Sequence, residues 1–241
     1  MPVHKKAIID VRHLFSTPDE AIFRGQANDN AELLKAWAGT TLAYAVVITG
    51  SQNLVSNFSG LLVNLGIAAV VCGLALVLHE LAHRAVARRY GAQAHFVANN
   101  QMLVISLLIA LLPIGFFFAA PGAVWHRGYL SERQAGLVAA AGPATNMAFA
   151  LLFLLTAPFV FAFVSDASWV QRLFFIGVGL NAAIGLFNMI PTPPFDGAKV
   201  LAWSQLYFGV MVGVGVLLAF VIASPSALAR IWGFALGLLG G

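Results

Sequence analysis

Long apolar runs separated by short polar loops dominate this chain. The first covers about residues 33–50 and leads into the uncharged loop SQNLVSNFSG; the second covers about 61–82 and ends in the basic stretch HRAVARRYGAQ. Further runs cover about 102–124, 135–164, 170–190 and 201–223, and a shorter one, 227–240, closes the sequence. A membrane-spanning helix needs roughly 20 apolar residues, with about 17 as the lower limit. The first run is just long enough and the last is marginal. The polar stretch 1–32 reads as an arm, with an amphipathic piece over Ala7–Phe15. The pattern predicts an all-α polytopic membrane protein of about six transmembrane helices, with residues 1–32 outside the bilayer and 33–241 embedded in it.

The third run differs from the rest. Its middle reads LLPIGFFFAAPG, so Pro113, Gly115, Pro121 and Gly122 interrupt it. Proline removes a backbone donor and clashes with the preceding turn, and broken backbone at membrane depth survives only where protein or water covers it. This pattern alone fits either a kinked span or a re-entrant or β-hairpin segment that returns to the face it left.

Composition narrows the function classes. Apolar residues make up 60% of the 241 residues and charged ones 9%, against about half and a quarter in soluble domains. This excludes a disordered chain, a nucleic-acid-binding module and a soluble globular enzyme. The single cysteine, Cys72, allows neither an intrachain disulfide nor a cysteine zinc cluster, and is read as a packing residue. The N-terminus lacks a signal-peptide core, so the first span is expected to do the targeting. Trp37, Trp125, Trp169, Trp203 and Trp232 are read as interface anchors, Trp232 fitting least well. Asn64 and Asn181, inside spans, are read as interhelical hydrogen-bonding groups.

The chemistry concentrates in LHELAHR. His79, Glu80 and His83 form H-E-x-x-H at the end of the second run. Positions i and i+4 share one helix face, so both imidazoles can grip one zinc ion with Glu80 beside it as a general base. Two solvated histidines at a helix end are the bland alternative. It is weak here, because a carboxylate inside a membrane helix costs about 2.5–3.5 kcal/mol on insertion scales and marks function by default. Catalytic zinc usually takes three protein ligands and leaves one position open. Of the other carboxylates, Asp10, Asp19, Glu20, Asp29 and Glu32 lie in the arm, and Glu132 and Asp166 in loops. Asp196 alone stands in an apolar, proline-rich setting, NMIPTPPFDGAKV, and is the best candidate for the third ligand. His4, His13, His95 and His126 read as solvated or interfacial.

Three ligands on one ion must lie at one depth. An even number of crossings must therefore separate His83 from Asp196. The fourth and fifth runs supply two, so the third run has to enter and return on the same face. Charge supports this arrangement. Placing the arm and the segments 84–101, 125–134 and 191–200 on one side gathers eleven of the 13 Lys and Arg there, leaving Arg172 and Arg230 opposite. The positive-inside rule makes the richer side cytoplasmic, with the metal site toward that leaflet.

HELAH in one helix, AGPATN in a second and NMIPTPPFDG near the end of a third together resemble the site-2 proteases, which are zinc intramembrane metalloproteases. The pattern N-x-x-P-x-x-P-x-D-G is filled by Asn188, Pro191, Pro194, Asp196 and Gly197. The resemblance covers about residues 61–200. It implies His79, His83 and Asp196 as ligands of one Zn2+ per chain and Glu80 as catalytic base. It also implies that Asn188 holds substrate or its polarised carbonyl, and that Asn146 lies near the site as a packing or substrate-contacting residue. An extended edge strand that aligns the substrate is expected around Ala120–Val124. The partners implied are a transmembrane protein substrate and the lipid bilayer, with no nucleic acid; oligomeric state is not legible. PDZ and CBS domains, common in the family, have no room here, and Ala198 stands where a second glycine is common. Competing functions are a metal- or proton-coupled transporter, a non-cleaving pseudoprotease and a zinc hydrolase of lipid amides.

Overall fold

The computed structural model describes residues 20–25, 27–164 and 167–239. Most of the expected arm, including the Ala7–Phe15 piece, and Asp166 lie outside the described residues. Helix α1 runs Asp29–Thr49, with the Asn28 side chain accepting from the Ala31 N–H at its start. It begins earlier than the apolar pattern suggests because its first-turn carboxylates have partners in the fold. Asp29 accepts from Arg84 and Arg88 and contacts the His95 ring at 3.0 Å. Glu32 accepts from the Ala98 N–H and from Lys35.

Helix α2, Phe58–Cys72, continues through a π-helical turn, Gly73–Val77, into α3, Leu78–Arg89. The turn inserts one extra residue, with the Leu78 N–H donating to Gly73 O, immediately before the H-E-x-x-H sequence. Asn64 donates to the Thr49 hydroxyl across the α1–α2 interface. Cys72 is buried against α1, with its sulfur 3.8 Å from Thr40 O.

The third apolar run combines both shapes that its pattern permits. Strand β1, Gln93–Ala98, is followed by the 11-residue helix α4, Asn100–Ala110, a bend at Leu111–Gly115 and an extended return to strand β2, Gly122–Arg127. The strands pair antiparallel, from Gln93↔Arg127 to Ala98↔Gly122. Residues 99–121 therefore leave and rejoin the fold at one place. At about 1.5 Å rise per residue, α4 extends only about 16 Å and does not cross a bilayer. The expected edge strand lies slightly later than Ala120–Val124.

Helix α5, Glu132–Phe163, starts with a capping box between Ser131 and Gln134, and α6 runs Ser168–Phe187. The sixth apolar run is not one helix. It divides at Ser204 into α7, Asp196–Trp203, and α8, Gln205–Val216, which continues as a π-helical turn to Ile222. The final helix, α9, is Pro225–Leu238. Among the described residues, five helical segments are long and apolar enough to cross a membrane: 29–49, 58–89, 132–163, 168–187 and 205–222. The fold is thus all-α and polytopic with one small sheet; the marginal last run forms a 14-residue helix, below the length of a span.

Helix α5 is the axis of the bundle, packed against α3, α6, α7 and α9. Its glycines allow close approach, as small residues do between membrane helices. A Cβ at Gly136 would collide with the Trp203 ring. Beyond the site, Phe153, Phe161, Phe174 and Trp232 form an aromatic core joining α5, α6 and α9. Trp232 is therefore not an interface anchor: it is 8% exposed and donates to Leu154 O. Trp37 likewise donates inward, to Ala69 O on α2.

Candidate metal centre

Helix α3 presents His79 and His83 one turn apart toward α5, and α7 begins at Asp196 directly opposite. The two Nε2 atoms lie 3.0 Å apart, and Asp196 Oδ2 is 3.4 Å from the first and 3.1 Å from the second. All three donor atoms fall within 4.8 Å of one another. Both rings are buried. Gly142 is what lets α5 come so close: a Cβ there would run into the Nε2 atoms of both rings. The sequence G-P at 142–143 is thus a spacing device beside the histidines.

The rear of each ring is held. His83 Nδ1 is 2.7 Å from Val138 O, a carbonyl, which can only accept, so Nδ1 carries the proton. His79 Nδ1 is 2.6 Å from Asn146 Oδ1. With Nδ1 protonated on both rings, each Nε2 turns a lone pair into the gap that the Asp196 carboxylate also faces. Three electron-pair donors converging on one point fit a cation. Two neutral imidazoles and one carboxylate form a donor set suited to zinc, with room for a fourth, non-protein position. Adding ionised Glu80 brings the protein charge to −2, which balances a divalent ion.

Glu80 sits on α3 next to His79, and its carboxylate lies near the backbone N–H of Val124 on β2. The strand register explains why that N–H is available. Asn99 N–H donates to Pro121 O, so that pair is hydrogen-bonded. In an antiparallel ladder the bonding direction alternates. Ala123, Trp125 and Arg127 therefore address β1, while Gly122, Val124 and His126 face away from it, toward the α3 side. His126, on this outward edge, has its imidazole pKa held below the usual value by partial burial and by the Lys199 ammonium.

The two asparagines occupy different surroundings. Asn188 ends α6, its Nδ2 donating to Ile184 O and its own carbonyl accepting from the Gly197 N–H. It ties α6 to the residue following Asp196 and is partly exposed. Asn146 is fully buried behind His79, with contacts to His79 Nδ1, Ala75 O and Asn181 Oδ1. In this structure it lies behind a ring and not on an open wall that a substrate would touch. Asn181 was legible only as an interhelical donor; its link to the centre through Asn146 has no signal in the sequence.

An apolar groove of about 490 Å3 lies between α1 and the α2–α3 helix, lined by Leu33, Leu34, Trp37, Val70, Leu74 and Val77 among others. Leu33, Trp37 and Val77 also border a narrower space that reaches Glu80 and Pro121.

Curated proteins similar to the chain include three named as putative zinc metalloproteases. The chain is 38% identical to MJ0611 of Methanocaldococcus jannaschii over 156 residues, 64% of this chain and 78% of that protein. It is 33% identical to YwhC of Bacillus subtilis over 136 residues and 28% identical to Rip2 of Mycobacterium tuberculosis over 139. The matches cover 62% of YwhC and 52% of Rip2, so the chain spans little more than half the length of those two. No family model and no solved structure matches it.

Proposed function

Because the chain belongs to the site-2 protease family of zinc metalloproteases, we propose that it is an intramembrane metalloendopeptidase that hydrolyses peptide bonds within or near the transmembrane segments of membrane proteins. The observation that carries this reading is the convergence of His79, His83 and Asp196 beside Glu80, with both histidines and Glu80 on a helical segment apolar enough to span a bilayer.

His79, His83 and Asp196 would hold one zinc ion, whose Lewis acidity polarises a carbonyl and acidifies water. Glu80 takes the proton of the attacking water and passes it to the departing amide nitrogen. The Val124 N–H keeps the Glu80 carboxylate aimed during both transfers. A substrate helix hides its backbone in its own hydrogen bonds, so the segment to be cut must first unwind. The outward-facing edge of β2 offers the carbonyls of Gly122 and Val124 and the N–H of His126 to the freed backbone, a case of strand addition. Asn188, partly exposed at the end of α6, is placed to hold the substrate carbonyl. The apolar groove between α1 and the α2–α3 helix suits side chains arriving from lipid. By charge distribution the site faces the cytoplasmic leaflet. Residues 33–241 form the membrane-embedded protease domain, and 1–32 a cytoplasmic arm.

The test uses the purified full chain and its Glu80→Gln variant, each incubated with a model transmembrane substrate after its bound zinc has been measured. About one zinc per chain is expected in both. Cleavage should fall by roughly 10^2–10^4-fold in the variant, the usual weight of a general base. Equal product from the two proteins would remove Glu80 from its role, and a wild type that binds zinc without cleaving would refute the protease reading.

A further inference from the structure

Two backbone carbonyls, far apart in the chain, determine which nitrogen of His79 carries its proton. Asn181 Nδ2 donates to Gly177 O at 2.9 Å. A carbonyl cannot donate, so this bond turns the Asn181 amide nitrogen toward Gly177 and its oxygen toward α5. There Asn181 Oδ1 accepts from Asn146 Nδ2 at 3.3 Å, while Ala75 O accepts from the same nitrogen at 2.6 Å. Both Asn146 N–H groups are now spent, and Asn146 Oδ1 faces His79 Nδ1 at 2.6 Å. That oxygen only accepts, so Nδ1 must be protonated and Nε2 must present its lone pair toward His83 and Asp196. Ala75 lies in the π-helical turn, so the same amide also clamps the distortion that precedes the histidine. Asn146 and Asn181 are both 0% exposed, and the amide oxygen and nitrogen of each have a partner.

We propose that Asn181 is a positioning residue of the metal centre, acting through Asn146 to fix the tautomer and orientation of His79. The inference rests on His79 being a metal ligand. Its basis is that groups behind a ligating histidine set which ring nitrogen is free and are worth about 10–100-fold in metal affinity. A packing role alone would need neither the amide orientation nor the link to Ala75.

The experiment measures zinc affinity of the full chain by competition with a chelator, in Asn181→Leu, Asn146→Leu, the double variant and Asn64→Leu. Asn64 is an equally buried asparagine that bonds to Thr49, away from the centre. Asn181→Leu should weaken zinc by about tenfold and Asn146→Leu by about 10–100-fold. The double variant should be no weaker than Asn146→Leu, because the first residue acts through the second. The visible spectrum of the cobalt-loaded protein should shift in both single variants. Asn64→Leu should leave affinity and spectrum unchanged. Wild-type affinity in Asn181→Leu, losses that add in the double variant, or an equal loss in Asn64→Leu would each overturn the proposal while leaving the protease reading intact. Should Asn181→Leu not fold, Asn181→Ala, which leaves a cavity instead of an overfilled site, is read in the same way. A wild type that takes up no zinc would overturn both.

Discussion

Gly142 sets the tolerance of the centre at the level of a single atom. A methyl group there would meet both imidazoles at their metal-facing nitrogens, and the rings have no easy retreat, since Asn146 and Val138 hold their far sides. Overfilling a packed site costs about 1–3 kcal/mol, which corresponds to roughly 5- to 150-fold in affinity. Alanine is also the better helix former by about 0.8–1 kcal/mol. Gly142→Ala is therefore expected to weaken zinc binding within that range and to lower the thermal stability of the zinc-free protein, the gain in helix propensity offsetting only part of the overfilling. Isothermal titration and a melting curve on the same sample check both halves. At this scale the sequence was informative where chemistry is local. H-E-x-x-H packs two candidate ligands and a candidate base into five residues, and Asp196 stood out because few carboxylates remain in so apolar a chain. It was uninformative where a side chain's role depends on its neighbours in space. Asn181 and Asn64 looked alike in sequence, and only the packing of α5 against α6 separates them. Trp232 read as an interface residue near a chain end, yet α9 folds it under Phe161.

Among the elements, the β1–β2 ribbon links two requirements of the proposed reaction. One edge of β2 is committed to β1, and the other carries both the Val124 N–H near Glu80 and the groups proposed to meet substrate. Proline at 124 would delete one N–H without breaking a rung of the ladder, because that residue faces away from β1. A hydrogen bond to a charged group is worth about 1.5–3 kcal/mol. Val124→Pro should then lower kcat by roughly 10- to 100-fold with zinc content unchanged, and Val124→Ala should retain activity; a kinetic comparison of the two against zinc content settles the matter. The segment's return to its starting face followed from ligand depth and crossing parity before any coordinates. The strand register, the π-helical turn before His79 and the break at Ser204 did not. Each depends on one or two backbone hydrogen bonds that apolar patterning does not encode.

Across the whole molecule, the basic residues are distributed about the metal centre. Arg84, Arg88 and Arg89 end α3, Arg133 begins α5 and Lys199 lies in α7, whereas Arg172 stands at the far end of α6. With α5 and α6 each long enough to cross, Arg133 and Arg172 are expected on opposite sides of the bilayer. In a Cys72→Ala background, Arg172→Cys is expected to react with a membrane-impermeant maleimide on intact cells, and Arg133→Cys only after permeabilisation. The reverse pattern would invert the proposed orientation. The polytopic class was legible because hydropathy reports length directly, although about six spans were expected and five described segments reach that length.

The strand carrying Val124 has a further property, which comes from its twofold repeat. Lengthening the excursion between residues 99 and 121 changes only what hangs from the ribbon, and the pleat downstream keeps its phase. One residue added inside 122–127 exchanges the two edges beyond it, pointing toward the neighbouring strand the amides that had faced α3. Evolution and engineering are thus free to vary this loop's length, but changes within the strand must come in pairs.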